Sequence, residues 1–211
     1  MVFYTDSHID SWERFYRANF INSLTGFKSV NLIGTVNASG QTNLAIFSSV
    51  VHIGSNPPLV GYINRPVKSA PQTLANIQAT GFYTINHIQP SFVQRAHQTS
   101  AKYEAGISEF GEVGLTPEFQ ENFSAPFVKE SSVKYALSLQ EIIPIKLNNT
   151  FLVIGKVISI QIEPDIISAD GFLQLEKANS ICSNGNDAYY QTQLLERYQY
   201  AKPGIAPQSL I

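Results

Sequence analysis

Six or seven short segments rich in Val, Ile, Phe and Tyr follow one another along the chain, with only brief helices between them. That spacing is the strongest constraint on the fold. A doubly wound parallel sheet needs a crossover of about a dozen residues or more after each strand, usually a helix, and the connections here lack room for it. Antiparallel strands need only turns, and a barrel closes such a sheet so that no edge stays open. The expectation is a mainly β fold, an antiparallel barrel with short peripheral helices.

Hydrophobic spacing locates the elements. After Ser7, a candidate N-cap, residues Ile9, Trp12, Phe15, Tyr16 and Phe20 recur at helical intervals as far as Gly26. Ser29–Asn37, Asn43–Ile53 and Leu59–Asn64 then read as strands, the first two joined by the turn Ala38-Ser39-Gly40-Gln41. Pro57-Pro58 lacks backbone donors and marks a departure from the ladder. Gln72–Thr80 predicts a helix stopped by Gly81, and Phe82–Ile88 a further strand. A short helix is expected over Pro90–Ala101 and irregular chain over Gly106–Pro126. Ser132–Leu139 alternates cleanly, and Thr150–Ile162 is a long strand with Gly155 as a bulge or a close-approach point. Beyond Asp170-Gly171 the expectation is a polar loop, a helix near Leu194–Arg197 and a Pro-rich end.

Composition narrows the function classes. Hydrophobic residues make up 44% of the 211 and charged residues only 14%, enough for a sizeable core and too little charge for a disordered chain. So few charges point to surface covered by a partner subunit or a ligand. The net charge of −2 disfavours a nucleic-acid or anionic-membrane binder. One cysteine, Cys182, excludes an intrachain disulfide framework and reads as a packing residue. The N-terminus has no signal-peptide pattern, and the most apolar stretches are too short and too interrupted to span a bilayer. The expectation is a soluble, cytoplasmic protein without a membrane partner.

Several chemistries have no motif here. The sequence contains no Walker A loop, GxGxxG, HExxH, GxSxG or EF-hand loop, and His8, His52, His87 and His97 lie far apart, so no metal site is expected. The informative stretch is Thr42–Asn86. It places polar Thr42, Asn43, Ser48 and Ser49 within an apolar strand, then Arg65, Lys68 and Ser69 in a loop, then Thr73 at the start of a helix. Cations, hydroxyls and free amides at a helix start can hold a phosphate. A solvated basic loop followed by an ordinary cap is the other reading of the same residues.

The order of short motifs adds to this. Asn43-Leu44-Ala45 with Ser48, then Pro57-Pro58, then Thr73-Leu74-Ala75-Asn76-Ile77 with Thr80-Gly81 and Asn86, resembles the flavin reductase-like family of FMN-binding split barrels, the flavoredoxin type included. The likeness continues through Ala96–Phe110, Val153-Ile154-Gly155-Lys156-Val157 and Arg197-Tyr198-Gln199-Tyr200-Ala201, covering most of the chain from about residue 22. Gln72 stands where the family often has Asp, and Phe82-Tyr83 varies the usual spacing. Asn148-Asn149-Thr150 stands where many members carry a histidine on the nicotinamide side.

The resemblance implies one split-barrel domain over residues 1–211, with an N-terminal helix at about 7–25, the barrel at about 28–165 and a tail at about 170–211. It implies a homodimer with FMN at the subunit interface. Asn43, Ala45, Ser48 and Ser49, with the neighbouring backbone of Thr42, Leu44 and Val50, would line the isoalloxazine and ribityl chain. Arg65 and Lys68, helped by Ser69 and Thr73, would hold the phosphate, Arg65 being the better bidentate partner. His97 or Tyr200 would approach from the partner chain. The function implied is an FMN-dependent oxidoreductase passing electrons from NAD(P)H to flavin or another small-molecule acceptor, the flavin carrying the chemistry without a catalytic side chain. Its alternatives are an FMN carrier or store without NAD(P)H turnover, which the missing histidine favours, and a barrel for another apolar or phosphorylated ligand.

Overall fold

Alternating apolar residues and turn-forming dipeptides lay down a β framework in the computed structural model, which describes residues 1–66, 71–104 and 106–210. Helices α1 (Asp6–Ser11) and α2 (Arg14–Leu24) precede strands β1 (Lys28–Ser29), β2 (Asn31–Val36), β3 (Thr42–Phe47), β4 (Val51–Ser55) and β5 (Pro58–Asn64). Helix α3 (Pro71–Thr80) leads into β6 (Phe82–His87), followed by α4 (Val93–Gln98), α5 (Glu109–Val113) and the short strands β7 (Pro117–Glu118) and β8 (Phe127–Val128). The long hairpin β9 (Val133–Ile145) and β10 (Thr150–Ile162) comes next, and the hairpin β11 (Ile181–Asn184) and β12 (Ala188–Gln191) last.

Seven strands form one antiparallel sheet in the order β3-β2-β6-β9-β10-β5-β4, and β1-β11-β12 form a smaller one. The large sheet is curled until its ends meet. Phe47 on β3 and Tyr62 on β5 belong to opposite ends of the strand order, yet their rings pack edge to face with centroids 4.9 Å apart. Between them Ile33, Tyr83, Ile85, Leu137 and Val153 fill an inner core, and Leu74 and Ile77 of α3 join it. This is the antiparallel split barrel. A second core lies on the outer face, where Leu32 and Leu44 pack with Phe92, Ala96, Phe110 and Val113 of the segments around α4 and α5. Because β2 separates the two cores, all six of its residues are buried.

Most expected elements are present, and the differences have physical causes. The N-terminal helix is two helices, capped by Thr5 rather than Ser7 and broken at Trp12-Glu13, where Trp12 is extended and the Glu13 carboxylate caps the second helix by accepting from the amides of Phe15 and Tyr16. The expected strand Asn43–Ile53 is two strands, because Ser48–Val50 leaves one end of the sheet to start the other. The segment expected to be irregular holds α5, framed by Ser108 at its N-cap and by Gly114 with φ of 69°. Leu194–Arg197 is not helical: Arg197 reaches back to Asp170 at 2.6 Å and stacks on Phe172 at 3.9 Å, which holds that stretch against the preceding loop. The polar loop beyond residue 170 contains the hairpin β11–β12, turned at Gly185-Asn186-Asp187. Among the described residues no helix is long and apolar enough to cross a membrane.

Candidate functional site

The break between β3 and β4 builds the site. Ser48–Val50 has left the ladder, and its groups bond sideways instead. The Ser49 hydroxyl accepts from the Ile63 amide and donates to the Ile63 carbonyl, both at 3.1 Å, which ties the two ends of the curled sheet together. The Ser29 hydroxyl donates to the Val50 carbonyl at 3.4 Å and accepts from Asn31 Nδ2 at 3.3 Å. Just past Ile63, Asn64 Nδ2 donates to the Arg65 carbonyl at 2.7 Å, and Arg65 Nη2 donates to Asn186 Oδ1 at 3.0 Å. The hairpin that carries Asn186 returns to the start through β1, with Lys28 opposite Ser183 and Ser29 opposite Cys182. Residues 28–31, 48–50, 63–65 and 183–186 therefore make a closed ring of direct contacts.

Polar groups without partners gather in this ring. Asn31 Oδ1, Asn64 Oδ1, Ser183 Oγ and Asn184 Oδ1 are buried and accept or donate no hydrogen bond. The other two such atoms among the described residues are the hydroxyls of Tyr62 and Tyr83 in the inner core. Asn31, Asn64 and Ser183 are 1%, 0% and 2% exposed, so solvent does not satisfy them. An unsatisfied buried polar group costs about 1–3 kcal/mol, and the three amide oxygens of Asn31, Asn64 and Asn184 point to a ligand that supplies hydrogen-bond donors. Charge points the same way. The ion pairs among the described residues are Arg95–Glu130, Lys134–Glu118 and Arg197–Asp170, none of which neutralises Arg65. Its guanidinium has a neutral amide oxygen as partner and keeps its positive charge for an anion.

The residues expected from sequence do not all fall together. Ser49, Val50 and Arg65 belong to the ring itself, with Ser48 adjoining it. Asn43 and Thr73 meet one strand-length away, where Asn43 Nδ2 donates to Thr73 Oγ1 at 3.3 Å and both side chains are buried. Thr42 shares a 2.6 Å hydrogen bond with Ser108, the Leu44 amide donates to the Glu109 carboxylate at 2.9 Å, and Ala45 packs against the inner core. Burial pushes the Glu109 carboxyl up from its ordinary range, and the Leu44 amide partly offsets this. His97 is exposed and shares a 2.6 Å hydrogen bond with Tyr189 of β12, which links it to the ring through the hairpin. Tyr200 is 93% exposed. Lys68 and Ser69 lie outside the described residues.

Sequence reasoning missed Asn31, Asn64, Ser183, Asn184, Asn186 and Glu109. A signal existed for the hairpin, since Asn184-Gly185-Asn186-Asp187 is a tight-turn sequence between short runs that include Ile181 and Tyr189-Tyr190. Asn31 stood inside the expected strand Ser29–Asn37 and Asn64 at the end of Leu59–Asn64, and nothing in the sequence marks either amide as buried.

Residues 25–175 match the family described as "Flavin reductase like domain", a match that ends before β11. The chain is similar in structure to a split-barrel-domain protein of Shewanella frigidimarina NCIMB 400, provisionally described as a flavin reductase. The two are 46% identical with a TM-score of 0.92, covering 95% of this chain and 100% of that one. It shares its fold with nitrilotriacetate monooxygenase component B from Bacillus cereus, at 20% identity and a TM-score of 0.80 over 96% of this chain and 98% of that one. An uncharacterised protein of Aquifex aeolicus strain VF5 is 23% identical over 164 residues, 77% of this chain and 83% of that protein. The family implies a flavin cofactor and flavin-related oxidoreductase chemistry. The chain belongs to the flavin reductase-like domain family.

Proposed function

We propose that this protein is an FMN-binding oxidoreductase of the flavin reductase type, working as a cytoplasmic homodimer that takes electrons from NAD(P)H and passes them to flavin or another small-molecule acceptor. The observation that carries the reading is the ring around Ser48–Val50, which combines unsatisfied buried acceptors with an uncompensated guanidinium. FMN matches that donor set: its phosphate is an anion, and its ribityl hydroxyls and ring imide are hydrogen-bond donors. Bound flavin supplies hydride acceptance and one- or two-electron release, chemistry that no side chain offers.

The chain's own residues bind and orient. Arg65, with Lys68 and Ser69, holds the phosphate, and Thr73, buried against Asn43, fixes the start of α3 behind it. The backbone and hydroxyls of Ser48, Ser49 and Val50, continuing from Thr42–Ala45, hold the ring and its side chain, and His97 stands at the rim. Donors and cations placed so stabilise negative charge that develops on reduction. The turn at Asn148-Asn149 and the start of β10 at Thr150 carry no histidine, which favours the second reading of an FMN carrier served by a donor other than NAD(P)H.

An anaerobic titration of the FMN-loaded protein separates them. Bleaching of the flavin's visible band by NADH or NADPH is the expected result. A stable band with both nucleotides would exclude the reductase and leave the carrier.

A further inference from the structure

We infer that the C-terminal hairpin β11–β12, which lies beyond the family-matched segment, is a working wall of the flavin site: Asn184 takes a ribityl hydroxyl, and Asn186 positions the Arg65 guanidinium for the phosphate. The inference rests on the flavin reading above and adds residues that this reading does not require.

Three observations carry it. First, Asn184 Oδ1 is buried without a partner and lies on the face of β11 that carries Cys182, opposite Ser29 of the ring, whereas Ser183 projects from the other face. A hairpin serving only to cover the barrel gains nothing from that amide, because Ala or Val at the same position removes the desolvation cost. Second, the hairpin's turn grips the cation of the site, with Asn186 Oδ1 accepting from Arg65 Nη2 at 3.0 Å. A carboxylate at this position would pair with the guanidinium and cancel its charge. An amide orients the same group through one bond and leaves the remaining N–H donors and the full charge for a phosphate. Third, the hairpin is held from both sides. β11 pairs with β1, and Tyr189 on β12 bonds His97 on α4 at 2.6 Å, so its position relative to Ser29 and Val50 is fixed by backbone and side chain together.

Apoprotein titrations with FMN, riboflavin and lumiflavin, followed by quenching of flavin fluorescence, read each contact separately, since riboflavin lacks the phosphate and lumiflavin lacks the whole ribityl chain. Asn184→Ala is expected to weaken FMN and riboflavin binding by about tenfold and to leave lumiflavin unchanged. Asn186→Ala is expected to weaken FMN by about fivefold to tenfold without affecting riboflavin, and Asn186→Asp to weaken FMN further by neutralising Arg65. Asn186 is exposed, so its variants test the inference even where Asn184→Ala unfolds the hairpin. If both Asn186 variants bind FMN as tightly as the unaltered protein while Arg65→Ala does not, the hairpin is no part of the site and the flavin reading stands. If the unaltered protein binds none of the three flavins, the flavin reading falls and this inference falls with it.

Discussion

Gly155 shows what a single residue reveals before the fold is known. It sits mid-strand in an apolar run, which predicts a bulge or a close approach, and both occur: the β9–β10 register shifts between Ile154 and Gly155, and a Cβ there would overlap the Tyr83 hydroxyl. The need for space was legible in the sequence; the identity of the neighbour, 72 positions earlier in the numbering, was not. His87 was legible only as a lone histidine. It is packed against Ser180, whose hydroxyl lies 3.0 Å from Nδ1, and burial lowers its pKa to about 4 from 6.5. Between those values the unfolded chain holds the proton and the folded chain does not, so stability rises with pH across that window. Its contribution is complete above about pH 6.5 and is lost as the pH falls toward about 4, on the order of 3 kcal/mol. Urea unfolding across that range should show this slope in the unaltered protein and a flatter one in His87→Gln.

Element boundaries divide into those set locally and those set by tertiary contacts. Helix α3 ends at Gly81 with φ of 76° and was legible, as was the whole of β10. The division of Asn43–Ile53 was not, because Ser48-Ser49 interrupts the apolar pattern without the Gly or Pro that would mark a break. Only the curl of the sheet makes one end at Phe47 and the other begin at Val51. Ser49 holds that seam through both backbone groups of Ile63. Ser49→Ala leaves those two groups without their side-chain partner and should destabilise the protein by about 1–3 kcal/mol, measured by urea unfolding. An unchanged midpoint would mean that the seam is held by the Phe47–Tyr62 packing alone. The same distinction explains the site: Arg65 and the serines lie in one readable stretch, whereas Asn31 and the 183–186 turn join it only through strand pairing.

For the whole molecule, the low charge fraction pointed to covered surface, and the chain has apolar residues to cover. Phe15, Tyr16, Leu24 and Phe27 near the N-terminus, Val51 and Ile53 on β4, and Ile158 and Ile160 on β10 are all at least 40% exposed. Helices α1 and α2 bury no residue, although Tyr4, Trp12, Tyr16 and Phe20 stack among themselves. An apolar surface on this scale fits a subunit interface, consistent with the homodimer proposed above. Light scattering should give twice the chain mass, and Phe15→Asp with Ile160→Asp should shift it to one chain without unfolding; a monomeric unaltered protein would contradict the dimer.

The claim on which the rest depends is that the ring around Ser48–Val50 holds FMN, and calorimetric titration of apoprotein with FMN tests it most directly. The account predicts saturable binding of one FMN per chain, weakened by Arg65→Ala and weaker for riboflavin than for FMN. Absence of saturable binding, or equal affinity for FMN and riboflavin regardless of Arg65, would contradict it.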